Sequence, residues 1–81
     1  MSSFSIQLGS VNDVKEFVEA ASRLPCDVDV LKGRYVVDGK SIMGMFSINL
    51  AGPITVHVQG TEADTAALKE RAARFLVEHR S

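Results

Sequence analysis

Ser41 is the residue of this chain best placed for chemistry. It follows a Gly39-Lys40 turn and opens Ile42-Met43-Gly44-Met45-Phe46-Ser47-Ile48-Asn49-Leu50, a short and strongly apolar stretch. As an N-cap its hydroxyl would accept a hydrogen bond from a first-turn amide, contributing about 1 kcal/mol. The start of a helix, with free amides and the positive end of the dipole, is also a favourable place for a phosphate. A plain cap and a modified serine are two readings of one residue, and spacing alone does not choose between them. Ile42, Met43 and Phe46 fall on one side of the predicted helix, Met45 and Ile48 on another. A short helix with two apolar sides buries one in the core and offers the other to a partner.

The remaining reactive residues carry less. Ser10, with Asp13 three positions later, reads as a helix cap in a weaker form of the capping box, since Asp replaces the preferred Glu. His57 alternates with Val56 and Val58 and so belongs on the solvent face of a strand, while His79 lies near the end of the last helix. Neither has the paired spacing of a metal site. Cys26 follows Pro25 with no base nearby in sequence, and Asp27 and Asp29 are same-face strand neighbours that solubilise an edge. No glycine-rich phosphate loop is present. These readings assign no catalytic residue, no metal ligand and no cofactor.

The elements that position Ser41 follow from periodicity. Phe4, Ile6 and Leu8 alternate with polar residues in a first strand. Val14, Phe17, Val18, Ala21 and Leu24 recur at helical spacing until Pro25, which predicts a helix near 11–24. Val28 and Val30 open a second strand, and Lys32-Gly33 is a turn short enough for a hairpin to Arg34-Tyr35-Val36-Val37. The Ser41 helix is expected over 41–50, ended by Ala51-Gly52-Pro53. Ile54, Val56 and Val58 mark a fourth strand. Thr61 and Asp64, at capping-box spacing, lead into a last helix near 62–78 with Leu68, Ala72, Phe75 and Leu76 as its stripe. The order βαββαβα, with every strand alternating, predicts an α+β open-faced sandwich: a four-stranded antiparallel sheet with three helices on one face.

Composition narrows the class. Eighty-one residues suit a single domain over 1-81, and 46% apolar with 23% charged residues argues against disorder. Nine basic against ten acidic residues, with no long run of one sign, indicate neither direct nucleic-acid binding nor a basic membrane arm. One cysteine cannot close an internal disulfide. With no signal peptide and no apolar run of about 18 residues to span a membrane, the expected location is cytoplasmic.

Lys40-Ser41-Ile42-Met43-Gly44 resembles the Lys-Ser-Ile-Met-Gly motif of the HPr family, small phosphocarriers of the bacterial sugar phosphotransferase system. The resemblance runs from about Phe4 to Leu76 and includes the order of elements. The family has two sites: a phosphorylatable histidine in a Gly-x-His-x-Arg-Pro loop before the first helix, and a regulatory serine that matches Ser41. Aligning Phe17-Val18-Glu19-Ala20 with the family's first helix puts Ser10, Val11, Asn12 and Asp13 where histidine, its neighbour, arginine and proline belong. The resemblance therefore implies a retained fold and a lost phosphocarrier chemistry, as in the branch of the family that acts in carbon catabolite control. It also implies an ATP-dependent serine kinase acting on Ser41, and an apolar patch of Ile42, Met43 and Phe46 beside Lys40 that docks a transcription regulator or metabolic enzyme. Phe46 is larger than the family's usual methionine there. The alternatives are an active phosphocarrier using an unusual residue, and an HPr fold recruited to an unrelated structural role with Ser41 only a cap.

Overall fold

The computed structural model describes residues 2–77. Four strands, β1 (Ser2–Ile6), β2 (Val28–Lys32), β3 (Tyr35–Asp38) and β4 (Ile54–Val58), form one sheet in the order β1-β4-β2-β3, every neighbouring pair antiparallel. There are three helices among the described residues, α1 (Val11–Ser22), α2 (Ile42–Phe46) and α3 (Glu62–Arg71), and a 3-10 turn over Ala73–Phe75 follows α3. Val28, Val30, Ile54, Val56 and Val58 share one strand parity and are buried together with Val14, Phe17, Val18, Ala21, Met45 and Leu68 from the helices. The helices therefore cover one face of the sheet, as the alternation predicts. The other face carries Thr55, His57, Asp29 and Leu31, all half-buried.

Local chemistry sets the boundaries. The hairpin between β2 and β3 turns on Gly33 and Arg34, with Gly33 at φ 59°, which suits a tight turn matched to the twist of its strands. Thr61 and Asp64 form a full capping box, each side chain bonding the other residue's backbone amide. Ser10 caps α1 by accepting from the Asp13 amide at 3.1 Å, but the Asp13 carboxylate reaches back to the Gly9 amide rather than to Ser10.

Three helices are shorter than their periodicity suggests. α1 stops at Ser22, two residues before Leu24, with Arg23 as its C-cap. α2 has five residues instead of the stretch 41–50. The Ser47 hydroxyl donates to the Gly44 carbonyl at 2.6 Å, and the Asn49 side chain accepts from the Ala51 amide at 2.9 Å. Both bonds give the backbone a local alternative to further helical turns. Ile48 still reaches the core from the segment beyond. α3 ends at Arg71, and the chain then closes onto β1: Gln7 donates to the Phe75 carbonyl and Val77 to the Ser5 carbonyl. The far end of the predicted helix, near 78, lies outside the described residues. β1 sits earlier than the Phe4–Leu8 alternation, although Leu8 remains buried.

Burial separates two methionines two positions apart. Met45 is 0% exposed and Met43 81% exposed. Met45→Ala should cost about 2–5 kcal/mol, whereas Met43→Ala should stay within about 0.5 kcal/mol, as urea midpoints of the two variants would report.

Candidate functional site

The chain reaches Ser41 through a tightly held corner. Gly39 donates its amide to the Val28 carbonyl at 2.7 Å, Lys40 to the Asp38 carboxylate at 2.9 Å, and Ser41 to the Asp38 carbonyl at 3.0 Å. A side chain at Gly39 would put its Cβ 2.9 Å from Val28 Cγ1 and 3.1 Å from the Val28 carbonyl oxygen, so the corner lies directly on β2. Ser41 is extended (φ −110°, ψ 117°), as an N-cap must be, and its hydroxyl accepts from the Gly44 amide at 3.0 Å. A Cβ at Gly44 would lie 3.4 Å from the Ser41 side chain, an ordinary contact.

Ile42, Met43 and Phe46 are exposed around Ser41, while Met45 and Ile48 enter the core. Within α2 the expected division is between buried Met45 and the exposed trio, and Ile48 enters the core from beyond the helix. Lys40 is placed differently from a free neighbour of the serine. Its ammonium donates to the Leu24 carbonyl at 2.8 Å, at the C-terminal end of α1, where carbonyls lack helical partners.

Ser10 and the Ser41 patch, far apart in sequence, meet across one cleft. Leu8, Gly9, Ser10, Val11 and Val14 form one wall of a cavity of about 310 Å³, and Phe46, Leu50 and Ala51 form the other. Neither the cleft nor its joining of the two positions was visible in the spacing of residues. Arg74 was also missed. Its guanidinium lies 3.5 Å from the Asp13 carboxylate, bonds Glu16, and stacks 4.7 Å from the centre of the Phe75 ring. The only sequence hint was the Asp13/Glu16 spacing on one helical face.

His57 stands on the helix-free face of the sheet, opposite Ser3 on β1 and Asp29 on β2. It is thus separated by the sheet from both Ser10 and Ser41. His79 lies outside the described residues. Cys26 is half-buried against the core. Among the described residues, no helix is long and apolar enough to cross a membrane.

An antiparallel sheet of order β1-β4-β2-β3 under three helices, with capping serines at the starts of α1 and α2, defines an open-faced α+β sandwich. The sequence profile described as the PTS HPr component phosphorylation site matches residues 12–78, and the chain belongs to the HPr family of the phosphotransferase system. Solved structures agree. The phosphocarrier protein HPr of Bacillus anthracis is 28% identical, with a TM-score of 0.70 over 91% of this chain and 95% of that one. Crh, the catabolite repression protein of Bacillus subtilis solved as a dimer with a swapping domain, is 26% identical, with a TM-score of 0.63 over 90% and 88%. HPr-C-His of Thermoanaerobacter tengcongensis shares the fold at 24% identity and a TM-score of 0.73, over 90% and 92%. No curated protein sequence matches significantly.

Two substitutions test the corner. Ser41→Ala should cost about 1 kcal/mol through loss of the cap. Gly39→Ala should cost about 1–3 kcal/mol, because the added methyl meets both the Val28 side chain and its carbonyl. Chemical denaturation of each variant measures both.

Proposed function

We propose that this chain is a regulatory, protein-binding member of its family, without histidine phosphocarrier activity and switched by phosphorylation of Ser41. The observation that carries this reading is the division of α2. Ser41 stands at its start, with Ile42, Met43 and Phe46 exposed around it and Met45 locked in the core. A short helix anchored from beneath can present apolar side chains without unfolding when a partner docks. Methionine suits such a surface, because its flexible thioether adapts to differently shaped partners.

A phosphate on Ser41 would add about −2 charge beside that patch and change which protein docks there. Lys40 would have to leave the Leu24 carbonyl to meet it, so the modification also pulls on the end of α1. The partners of this reading are a serine kinase and phosphorylase, and a transcription regulator or metabolic enzyme that docks on Lys40, Ile42, Met43 and Phe46.

The α1 end supports the loss of phosphocarrier chemistry. Phosphoryl transfer through imidazole requires an exposed ring nitrogen at a helix start and a cation to hold the phosphate. Ser10, the residue aligned with the family's histidine, has its hydroxyl engaged as the α1 cap. The nearby guanidinium of Arg74 already pairs with Asp13 and Glu16. A serine phosphoester is too stable to pass its phosphoryl group on readily, so Ser10 does not replace the ring.

Incubation with the serine kinase and ATP should place an acid-stable phosphate on Ser41 that Ser41→Ala abolishes. Incubation with phosphoenolpyruvate and the general phosphotransferase enzyme should leave no acid-labile phosphate. A phosphohistidine that passes its phosphoryl group to a sugar-specific permease component would overturn the reading. Met43→Ala should weaken docking of the regulator by about 1 kcal/mol or more, measured by calorimetry, with the melting temperature unchanged.

A further inference from the structure

The two edges of the sheet are treated differently. The outer edge of β1 is closed by the chain itself: Ile6 bridges Leu76, Gln7 donates to the Phe75 carbonyl and Val77 to the Ser5 carbonyl. No described segment pairs with the outer edge of β3. That strand is protected only by its shortness and its terminal Asp38, having no lysine, no proline and no bulge. Its Tyr35 and Val36 are 68% and 60% exposed.

The ladder fixes which backbone groups point outward. Gly39 donates to the Val28 carbonyl, so Val28/Gly39 is a hydrogen-bonded pair. By alternation Val30/Val37 and Lys32/Tyr35 are bonded pairs too. Leu31/Val36 is then a non-bonded pair, and both the amide and the carbonyl of Val36 face away from β2. The sequence around Val36 is complementary to itself in reverse, reading Arg34-Tyr35-Val36-Val37-Asp38.

We propose that β3 is a self-pairing edge: two copies of this chain join antiparallel about a two-fold axis at Val36, making one continuous eight-stranded sheet. The occupant is a second copy because the edge complements itself in three respects. Val36 exchanges both backbone bonds with the second copy's Val36. Tyr35 lies across from Val37, an aromatic against a β-branched side chain. Arg34 lies across from Asp38, and the two-fold axis repeats that opposite-charge pair on the other side. Cross-strand pairs of these kinds stabilise antiparallel sheets, whereas like charges in the same places oppose pairing. The strand is short, so the dimer is weak and forms as concentration rises into the millimolar range. The Ser41 patch lies on the helix side of the molecule on α2, which packs against β3, so the dimer carries its two patches beside the seam.

Sedimentation equilibrium with the whole chain, followed by amide chemical shifts against concentration, tests this. The wild type should approach twice the monomer mass. Shift changes should concentrate in residues 34–38 and leave residues 2–6 unmoved, and added salt should weaken the association. Arg34→Asp, at an exposed position, should weaken it by about tenfold or more. So should Asp38→Arg, which also removes the acceptor of the Lys40 amide and is therefore read with its melting temperature alongside. Mixing the two variants in equal amounts should restore it, because every facing pair in the mixed dimer is again of opposite sign. A wild type that stays monomeric at millimolar concentration overturns the proposal. So does a dimer indifferent to both charge variants, or one whose shift changes fall on β1 as an exchange of that strand would produce. A mixture no tighter than its components equally overturns it.

Discussion

The backbone at Gly39 lies so close to β2 that no side chain fits between them, and the placement of the Ser41 region depends on that approach. Its amide bonds the Val28 carbonyl, which extends the β2–β3 ladder by one rung past the last strand residue. The chain then turns through the Asp38 carboxylate and carbonyl and delivers Ser41 in the extended conformation a cap requires. A bulkier residue would lift the corner off the sheet and carry α2 with it. Met45 would lose its seat in the core, and the exposed side chains around Ser41 would lose their fixed base. Order at the surface is inherited here from a contact between two backbones.

Much of this was legible in the sequence, for reasons that can be named. β4 and the start of β2 alternate cleanly because only one face of the sheet is covered, so their period-two pattern announces both the strand and its buried side, whereas edge strand β3 is mostly exposed and does not alternate. The division of α2 was readable for the same reason. Five residues at helical spacing with apolar groups on two sides leave no arrangement in which both are buried against one sheet. The capping serines and threonine were readable because a cap is a local bond between residues three apart, a distance that sequence displays directly.

What sequence did not display depends on residues brought together by the fold. Lys40 reads as a neighbour of Ser41, but its long side chain reaches the end of α1, sixteen residues back. Lys32 similarly leaves its strand to hold the Ala51 and Pro53 carbonyls in the loop before β4. Arg74 finds two carboxylates on α1 from the far end of the chain. The length of α2 was overread because Ser47 and Asn49 offered the backbone alternative hydrogen bonds, a competition that apolar periodicity does not register. The cleft between Ser10 and Phe46 was invisible because its two walls come from segments far apart in the chain.

The strand order also has a consequence for how the molecule comes into being. β1 is the first strand made, yet its neighbours are β4 on one side and residues 75–77 on the other. On a ribosome the amino-terminal strand must therefore wait, unpaired, until nearly the whole domain has emerged, while the β2–β3 hairpin can close as soon as it is made. Such long-range pairing slows folding, because the loop must be closed before its contacts stabilise anything. This waiting strand, Ser2-Ser3-Phe4-Ser5-Ile6, is three serines with a single aromatic and a single aliphatic residue. That sparseness keeps a nascent chain from adhering to others while its partner is still being synthesised.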